Sequence, residues 1–349
     1  MPKILVIRCG RLGDSILTFP AISALEVLFP KSEIHILTEE RTASLFLMHK
    51  SVRHVFSVPA LFYKRPSFGR LLSILKVVFR LRREKFQYVF DLQDQSWGTA
   101  LIARFVTRQS SVGFKNFKNG ICYHFGVYGK GYQLQGTIEP MALSYLRVVA
   151  FFNQSQTENL YTRFAETTLA IPENPKRQEN NNFCFFHLGA NEIHKTWSQE
   201  RFWELATLLR QHGHTEKIIF SVGEKDVKEF ESQVTSRKLT QIEVWTTNSI
   251  VELAKKIRDS TYFLSTDTGP SHIASNLNVP RIILCQPNVN MRIWYGHYST
   301  KRCIYISALR EKCRNCTDVS RQCNNSCVDN IPTESVFQTI LNLKKLLHE

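Results

Sequence analysis

The feature that most constrains the fold is a repeated alternation of short apolar runs with segments of helical periodicity. In the first half the apolar runs are 4–7, 34–37, 55–58 and 88–92, and the helical segments include 14–28 and 97–106. Strands that are apolar throughout are buried on both faces, which is typical of a parallel sheet covered by helices. The alternation restarts at residue 183 and continues to residue 285. We therefore predict an α/β protein with two such domains and a cleft between them.

The boundary between the two domains is marked by a polar, proline-broken stretch without periodicity. The expected division is a first domain at 1–170, a linker at 171–182, a second domain at 183–332 and a closing amphipathic helix at 333–349. A helical segment is also expected at 137–165. A chain of 349 residues has the length of two ordinary domains.

The charge balance indicates an anionic partner. Lys and Arg number 45 against 30 Asp and Glu, a formal charge of +15, which favours nucleic acid, an acidic lipid surface or an anionic substrate. No nucleic-acid motif accompanies this charge. The chain has no apolar run of transmembrane length, and its first residues are too short and too soon charged for a signal peptide. We expect a cytoplasmic protein.

Polar residues follow several of the predicted strands. Asp14, at a predicted helix start, fits either a helix cap or a general base. The loop at 266–272 combines a glycine with a helix N-terminus, which suits a phosphate, although a simple capped turn has the same pattern. Lys195 is either a phosphate contact or a solvated lysine.

Several common motifs are absent from the sequence. There is no P-loop, no G-x-G-x-x-G after the first strand and no G-x-S-x-G elbow. An Asp-x-Asp pair of the kind that holds a metal on a sugar nucleotide is also missing. A diphosphate leaving group would need donors from the protein.

Three blocks in order resemble the heptosyltransferase family, glycosyltransferase family 9. They are ILVIRCGRLGDSILTFPAISALEVLFP at the start, KTWSQERFWELATLL at 195–209 and FLSTDTGPSHIASNLNVPRIIL at 263–284. Together they cover both predicted domains, so the resemblance is nearly full length. It implies a GT-B fold, that is, two Rossmann-like domains facing a central cleft, with acceptor binding in the first domain and nucleotide-sugar binding in the second.

The resemblance also implies an activity: inverting, metal-independent transfer of L-glycero-D-manno-heptose from an ADP-sugar to the lipopolysaccharide inner core. Asp14 matches the catalytic base, and Lys195 matches the lysine that binds the diphosphate. Asp267, Thr268, Gly269 and His272 match the donor loop, and Glu224 is a weaker match to a ribose-binding acid. No cofactor is expected in catalysis.

The acceptor side departs from the family pattern at one position. Members often have Asp-x-Gln-Gly after the fourth strand, whereas this chain has Asp91-Leu92-Gln93-Asp94. Arg11, Gln93 and Asp94 are the expected acceptor-side residues. The acid at 94 leaves the acceptor open, and a protein or another glycan is the alternative to an anionic lipid-linked saccharide.

A basic stretch at 64–85 interleaves cations with apolar residues. It fits a helix on a membrane surface or a core-facing helix with a solvated basic side. An anionic lipid acceptor favours contact with the inner face of the cytoplasmic membrane, and hence a peripheral protein.

Five cysteines cluster at 303–327, four of them spaced like metal ligands: Cys313, Cys316, Cys323 and Cys327. Four thiolates suit a structural zinc or iron, and the alternative is a set of free or partly oxidised thiols. Two further hypotheses remain for the whole chain: a protein that binds the donor without transferring it, and a non-catalytic nucleic-acid-binding protein.

Overall fold

The chain forms two compact units, described here from a computed structural model. The first is Met1–Ala170 with Met291–Tyr298, and the second is Ile171–Asn290 with Ser299–Glu349. The structure describes the following residues: 1–59, 68–94, 96–115, 122–130, 133–134, 137–164, 169, 171, 182–190, 192–287, 290–296, 298, 302–308 and 327–348. Most of the predicted linker at 171–182 lies outside them.

The first unit is built on an eight-stranded sheet. Its strands are β1 (Lys3–Ile7), β2 (Glu33–Glu39), β3 (Val52–Val58), β4 (Tyr88–Asp91), β5 (Ser110–Lys115), β6 (Phe125–Lys130), β7 (Gln133–Leu134) and β8 (Thr137–Ile138). The order is β3-β2-β1-β4-β5-β6-β7-β8, parallel as far as β6 and antiparallel beyond it. The order 3-2-1-4-5-6 is that of a Rossmann fold.

Helices cover this sheet. They are α1 (Leu12–Ile16), α2 (Phe19–Leu28), α3 (Glu40–Leu47), α4 (Phe68–Arg83), α5 (Trp97–Val106), α6 (Met141–Val149), α7 (Thr157–Phe164) and the later α12 (Met291–Tyr295). Ile4 to Ile7 are fully buried because β1 lies mid-sheet between β2 and β4. This burial explains the unbroken apolar run from which the strand was predicted.

The second unit repeats the same design with six parallel strands. They are β9 (Phe183–His187), β10 (Lys217–Ser221), β11 (Ile242–Trp245), β12 (Phe263–Thr266), β13 (Arg281–Cys285) and β14 (Cys303–Ser307), in the order β11-β10-β9-β12-β13-β14. The helices are α8 (Gln199–Gln211), α9 (Val227–Arg237), α10 (Ile250–Arg258), α11 (Gly269–Asn276) and α13 (Thr333–His348). The prediction of two Rossmann-like α/β folds is confirmed.

The core of the second unit is aromatic and includes the closing helix. Trp197, Phe202 and Trp203 are buried with Val336, Phe337 and other residues of α13 in one apolar cluster. The Trp197 indole donates to the Ile331 carbonyl at 3.0 Å, and the Ser198 amide donates to the Asp329 carboxylate at 2.8 Å. These two bonds fix the segment before α13 against the start of α8.

Two helix predictions in the first unit were wrong in extent. The helix expected at 14–28 is interrupted after Ile16 and begins again at Phe19. Pro20 lies in the first turn of α2, where its missing N–H costs nothing, whereas it would break a helix running through it. The segment 137–165 is helical only from Met141 and is interrupted again before Thr157, since Thr137 and Ile138 pair in β8.

Candidate active site

Asp14 lies where the chain leaves β1 and enters α1. It is the third residue of that helix, whose N-cap position is taken by Arg11, so Asp14 is not the capping residue. Its side chain keeps 30% of its surface exposed. Arg11 is exposed beside it. A carboxylate held at the carboxyl end of a parallel sheet and open to solvent can accept a proton from a bound molecule.

The partner of Asp14 is Arg8, which sequence reasoning missed. The Arg8 guanidinium is buried and lies 3.4 Å from the Asp14 carboxylate. It donates to the Leu92 carbonyl at 2.8 Å and lies over the Tyr145 ring, 5.2 Å from the centroid. Burial works to lower the pKa of Arg8, but the charges of Tyr145, Asp14 and Asp94 raise it overall. Asp14 therefore has a permanent positive charge beside it.

The two predicted acceptor-side residues on the loop after β4, Gln93 and Asp94, lie next to this pair. The Gln93 backbone N–H donates to the Asp91 carboxylate at 2.9 Å, and the charge of Asp94 acts on Arg8. Gly10 lies beside both residues, since a Cβ built there would be 3.8 Å from the Arg8 guanidinium and 4.0 Å from the Gln93 side chain, ordinary contact distances. The structure thus brings Asp14, Gln93 and Asp94 together around Arg8.

Asp91 supports the loop from inside the unit. Its carboxylate is fully buried and accepts from the Tyr123 hydroxyl at 2.8 Å. Gly113 makes room for that ring, since a Cβ at this position would lie 2.5 Å from it. Burial raises the pKa of Asp91 to about 6, and hydrogen bonds from Thr99, Gln93 and Tyr123 oppose that rise.

In the second unit, the predicted donor residues follow three neighbouring parallel strands. Lys195 comes after β9, Glu224 after β10 and Asp267 after β12. The Lys195 ammonium lies 3.2 Å from the Asp267 carboxylate, and both groups are largely buried. This ion pair orients the lysine at the edge of the sheet where α/β folds bind ligands.

The loop after Asp267 opens α11 with a reciprocal cap. The Thr268 amide donates to the Ser271 hydroxyl at 3.2 Å, and that hydroxyl donates back to the Thr268 carbonyl at 2.6 Å. Gly269 is the first residue of the helix, and His272 is buried in its first turn. The cap fixes the backbone next to Asp267.

Glu224 stands apart from the ion pair. It begins a 3₁₀ turn at Glu224–Asp226 and is exposed, with the Asn248 amide 3.4 Å from its carboxylate. An exposed acid with a weak polar partner remains available to a hydroxyl donor such as a ribose.

His187, the last residue of β9, is a second group that sequence reasoning left without a role. Its Nδ1 lies 3.1 Å from the Ser221 hydroxyl, and burial lowers its pKa to about 4. The ring is therefore neutral near pH 7. Gly189 packs against it, because a Cβ there would lie 3.0 Å from Nε2. This contact shapes the start of the loop that carries Lys195.

Comparison with known proteins identifies the family to which this chain belongs. Residues 74–327 match the model of glycosyltransferase family 9 (heptosyltransferase). The chain belongs to glycosyltransferase family 9. It is therefore a glycosyltransferase, and the resemblance inferred from the three sequence blocks is confirmed. A similar curated protein is lipopolysaccharide heptosyltransferase 1 of Campylobacter coli, 22% identical over 294 residues, 81% of this chain and 83% of that protein.

Solved structures agree with the family assignment at the level of the fold. A family 9 glycosyltransferase from Veillonella parvula has a TM-score of 0.78 at 19% identity, covering 100% of this chain and 98% of that chain. E. coli heptosyltransferase WaaC with ADP-2-deoxy-2-fluoro heptose has a TM-score of 0.72 at 16% identity, covering 97% and 99%. The GT-B class is thus confirmed.

A metal site is not supported at the one group of possible ligands found among the described residues of this family 9 chain. Cys184, His214 and Glu216 lie together at the amino ends of β9 and β10. The Lys344 ammonium, however, lies 3.1 Å from His214 Nδ1 and 3.2 Å from the Glu216 carboxylate. A cation already occupies these acceptors, and His214 Nε2 lies 3.3 Å from Glu216. The group fits a hydrogen-bonded network that joins α13 to the sheet.

The predicted cysteine ligands remain a prediction. Cys313, Cys316 and Cys323 lie outside the described residues, whereas Cys327 is buried just before a 3₁₀ turn at Val328–Asn330. Cys303, the other cysteine of the cluster, is half-buried in β14.

Proposed function

We propose that this chain transfers heptose from ADP-L-glycero-D-manno-heptose to the inner core of lipopolysaccharide, with inversion at the anomeric carbon. The first unit binds the acceptor and removes its proton, and the second unit binds the nucleotide sugar. Residues 171–182 are the proposed linker between the two units. The observation that carries the proposal is the pair of Asp14 with the buried Arg8, an exposed carboxylate beside a fixed cation.

The names of similar proteins support the donor and the acceptor class. A curated relative is a lipopolysaccharide heptosyltransferase, and the WaaC structure holds an ADP-heptose analogue. The net charge of +15 suits both an anionic donor and an anionic acceptor.

The proposed chemistry at the first unit is general-base catalysis. Asp14 takes the proton from the acceptor hydroxyl, and the oxygen attacks the anomeric carbon from the side opposite the diphosphate. A new carbon–oxygen bond forms as the bond to the diphosphate breaks, so the sugar inverts and ADP leaves with the electron pair. Arg8 fixes the orientation of Asp14, and Arg11, Gln93 and Asp94 contact the acceptor.

The second unit stabilises the leaving group. Lys195 is oriented by Asp267 at 3.2 Å, and its ammonium offsets the charge that develops on the diphosphate. Thr268, Gly269 and His272 present the start of α11 to the donor, where backbone N–H groups favour an anion. Glu224 accepts hydrogen bonds from the ribose. In this scheme Lys195 takes the role that a divalent cation has in metal-dependent transferases.

The test is a transfer assay with ADP-heptose and a panel of truncated core acceptors. Asp14→Asn keeps the shape of the side chain and removes the base, so we expect kcat to fall by roughly 10²–10⁴-fold. The affinity for ADP should stay within about twofold, because Asp14 belongs to the acceptor side. Chelation by EDTA should leave the wild-type rate unchanged.

Lys195→Met is the complementary variant. It should weaken ADP binding and lower kcat together, because the lysine contacts the diphosphate before and during bond cleavage. Full transfer activity in Asp14→Asn would contradict the base assignment. ADP binding without transfer to any lipid-linked core would contradict the acceptor.

A second acceptor class is favoured by one residue. Asp94 replaces a glycine of the family pattern, and it puts a second carboxylate close to Arg8. An added acid on the acceptor side favours a less anionic acceptor, such as a protein or another glycan. Transfer to such an acceptor, lost in Asp14→Asn, would support this alternative.

A further inference from the structure

Helices α4 and α5 of the first unit share an apolar surface that no described element covers. Its residues are Leu71, Leu72, Leu75, Phe79, Trp97, Leu101 and Phe105, and each has between 40% and 66% of its surface exposed. We call this set the apolar patch. Contiguous exposed apolar surface of this kind marks a binding surface for a protein or a membrane.

The spacing shows that the patch residues form one continuous face on each helix. Leu71, Leu75 and Phe79 recur every four residues on α4, and Trp97, Leu101 and Phe105 do so on α5. Residues four apart lie on one side of a helix. The rings of Phe79 and Phe105 meet at 5.6 Å between centroids and join the two stripes.

The opposite faces of the same helices pack against the core of the first unit. Val78 and Leu81 of α4 are buried, as are Ala100, Ala103 and Val106 of α5, in the apolar cluster of the first unit. The patch is therefore a second apolar face, not the one that holds the helices on the sheet. Two apolar faces on a helix need two partners.

Cations flank the patch, and acids are missing from it. Neither α4 nor α5 contains an Asp or Glu. Exposed basic residues border both stripes: Lys76, Arg80, Arg83, Arg104 and Arg108. Arg82 lies over the Phe105 ring, 4.6 Å from its centroid, and donates to the Phe105 carbonyl, which ties the end of α4 to α5.

We propose that the apolar patch docks the chain onto an anionic bilayer. Leu, Phe and Trp side chains enter the boundary between headgroups and acyl chains, while the flanking cations contact lipid phosphates. A second copy of the chain is disfavoured because two such surfaces would bring together cations without acids. Nucleic acid would use the cations but leave seven apolar side chains in water.

The patch also adjoins the proposed acceptor side. Trp97 begins α5 only three positions after Asp94, so a lipid-linked acceptor held by the loop would lie near the docked face. In this respect alone the inference rests on the proposed function. Docking itself depends only on α4 and α5, and the two proposals can therefore fail separately.

Vesicle binding by the full chain tests the proposal. We expect it to co-sediment with vesicles of phosphatidylethanolamine and phosphatidylglycerol, to bind phosphatidylcholine vesicles weakly, and to be released as salt rises above about 0.15 M. Trp97 is the one tryptophan of five that is exposed, so its emission should shift to the blue on docking. Trp97→Phe should abolish the shift and retain binding.

Matched variants separate the patch from general charge and folding. Lys76→Gln, Arg83→Gln and Arg104→Gln combined should lower vesicle affinity on the order of 100-fold, about fivefold per charge. The control with the same loss of charge is Lys228→Gln, Lys255→Gln and Lys345→Gln on exposed helices of the second unit. It should lower the affinity less than tenfold.

A second pair of double variants tests the apolar side chains. Leu75→Ser with Leu101→Ser should weaken vesicle binding. The control is Leu47→Ser with Leu346→Ser, at exposed leucines outside the apolar patch, and it should bind vesicles like the wild type. Retained ADP binding and circular dichroism show that each variant folds. Equal loss in test and control variants would overturn the proposal, as would equal binding to phosphatidylcholine. Self-association or DNA binding that depends on the patch, without vesicle binding, would also overturn it. Transfer to a delipidated acceptor should persist in the patch variants, and its loss in a folded variant would also overturn the proposal, because the patch would then act in transfer itself. Failure of the wild-type chain to transfer to any acceptor, with vesicle binding intact, would count against the proposed function alone.

Discussion

In the first unit, a buried arginine places a fixed positive charge beside the candidate base, Asp14. Arg8 follows directly after β1, and its guanidinium touches a backbone carbonyl, an aromatic ring and a carboxylate. A buried charge is tolerated only when such partners satisfy it. These three contacts hold the guanidinium beside the Asp14 carboxylate.

Replacing Arg8 should therefore slow transfer without weakening ADP binding at the proposed donor site. In Arg8→Met the Asp14 carboxylate loses its fixed partner, and we expect kcat to fall at least tenfold with ADP affinity unchanged. Arg8→Lys keeps the positive charge but loses the planar set of guanidinium donors, so its kcat should lie between those of the wild type and Arg8→Met. Steady-state kinetics with ADP titration measures this.

The control for that experiment is Arg163→Met, since Arg163 is exposed on α7 of the same unit. Its kcat should equal that of the wild type. If Arg8→Lys were no better than Arg8→Met, Arg8 would not act through the charge it offers to Asp14. A loss of ADP affinity in Arg8→Met would place its effect elsewhere.

At the residue scale, the sequence alone pointed to side chains that belong to a motif, but it did not identify the distant residues that contact those side chains. Lys195 and Asp267 were each assigned to donor binding from their matching blocks, yet their 3.2 Å ion pair joins loops 72 positions apart. Arg8 was missed because its partner Leu92 is 84 positions away. Such contacts depend on strand order, and no local pattern encodes them.

At the scale of elements, the start of α11 links the stability of the fold to the proposed donor loop. Ser271 is fully buried, and its hydroxyl joins both the amide and the carbonyl of Thr268. A reciprocal cap of this kind satisfies backbone groups that the helix cannot. The position of Thr268 and Gly269 thus depends on a fully buried serine.

Ser271→Ala should lower the free energy of unfolding by roughly 1–2 kcal/mol, the usual cost of losing a helix cap. ADP affinity should fall with it, because the loop backbone loses its support. Urea unfolding and ADP titration check the two effects. Ser236→Ala is the matched control, since that hydroxyl donates to the Gln233 carbonyl on an exposed helix. Unchanged stability in Ser271→Ala would show that the cap is redundant.

Element boundaries show which sequence signals were sufficient. Strand β13 is buried along its whole length, and β1 and β9 are buried except at one end residue each, Lys3 and His187. Their unbroken apolar runs identified these strands. Strand β11 was not predicted, because all four of its residues are only half-buried at the edge of the sheet. Periodicity reports burial, so edge strands and short segments such as β8 escape it.

At the scale of the molecule, both units use one strand order and place their polar residues at the carboxyl ends of the strands. The sequence predicted this repetition, since each half showed the same alternation. The amino ends carry different groups, such as His214 with Lys344 in the second unit. Groups of that kind bear on stability, and several buried histidines make it depend on pH.

Burial is the main cause that lowers the pKa of His49, His187 and His214 to about 4 in the folded chain. Lys344 and Arg210 add to the effect at His214. In an unfolded chain a histidine titrates near 6.5. Below that pH the unfolded chain binds more protons, so the stability present above pH 6.5 is lost as the pH falls toward 4. Asp91, with a pKa of about 6, acts in the opposite direction, but it is one group against three.

We therefore expect urea unfolding to show lower stability at pH 5 than at pH 7.5. His49→Gln tests one contribution, because His49 is buried against the Phe19 ring and lies 3.0 Å from the Ser23 hydroxyl. The variant should be less stable than the wild type at pH 7.5. Between pH 6.5 and 4.5 it should lose about 1.4 kcal/mol less per pH unit, the effect of one proton fewer taken up on unfolding. An unchanged slope in the variant would mean that His49 titrates normally in the folded chain.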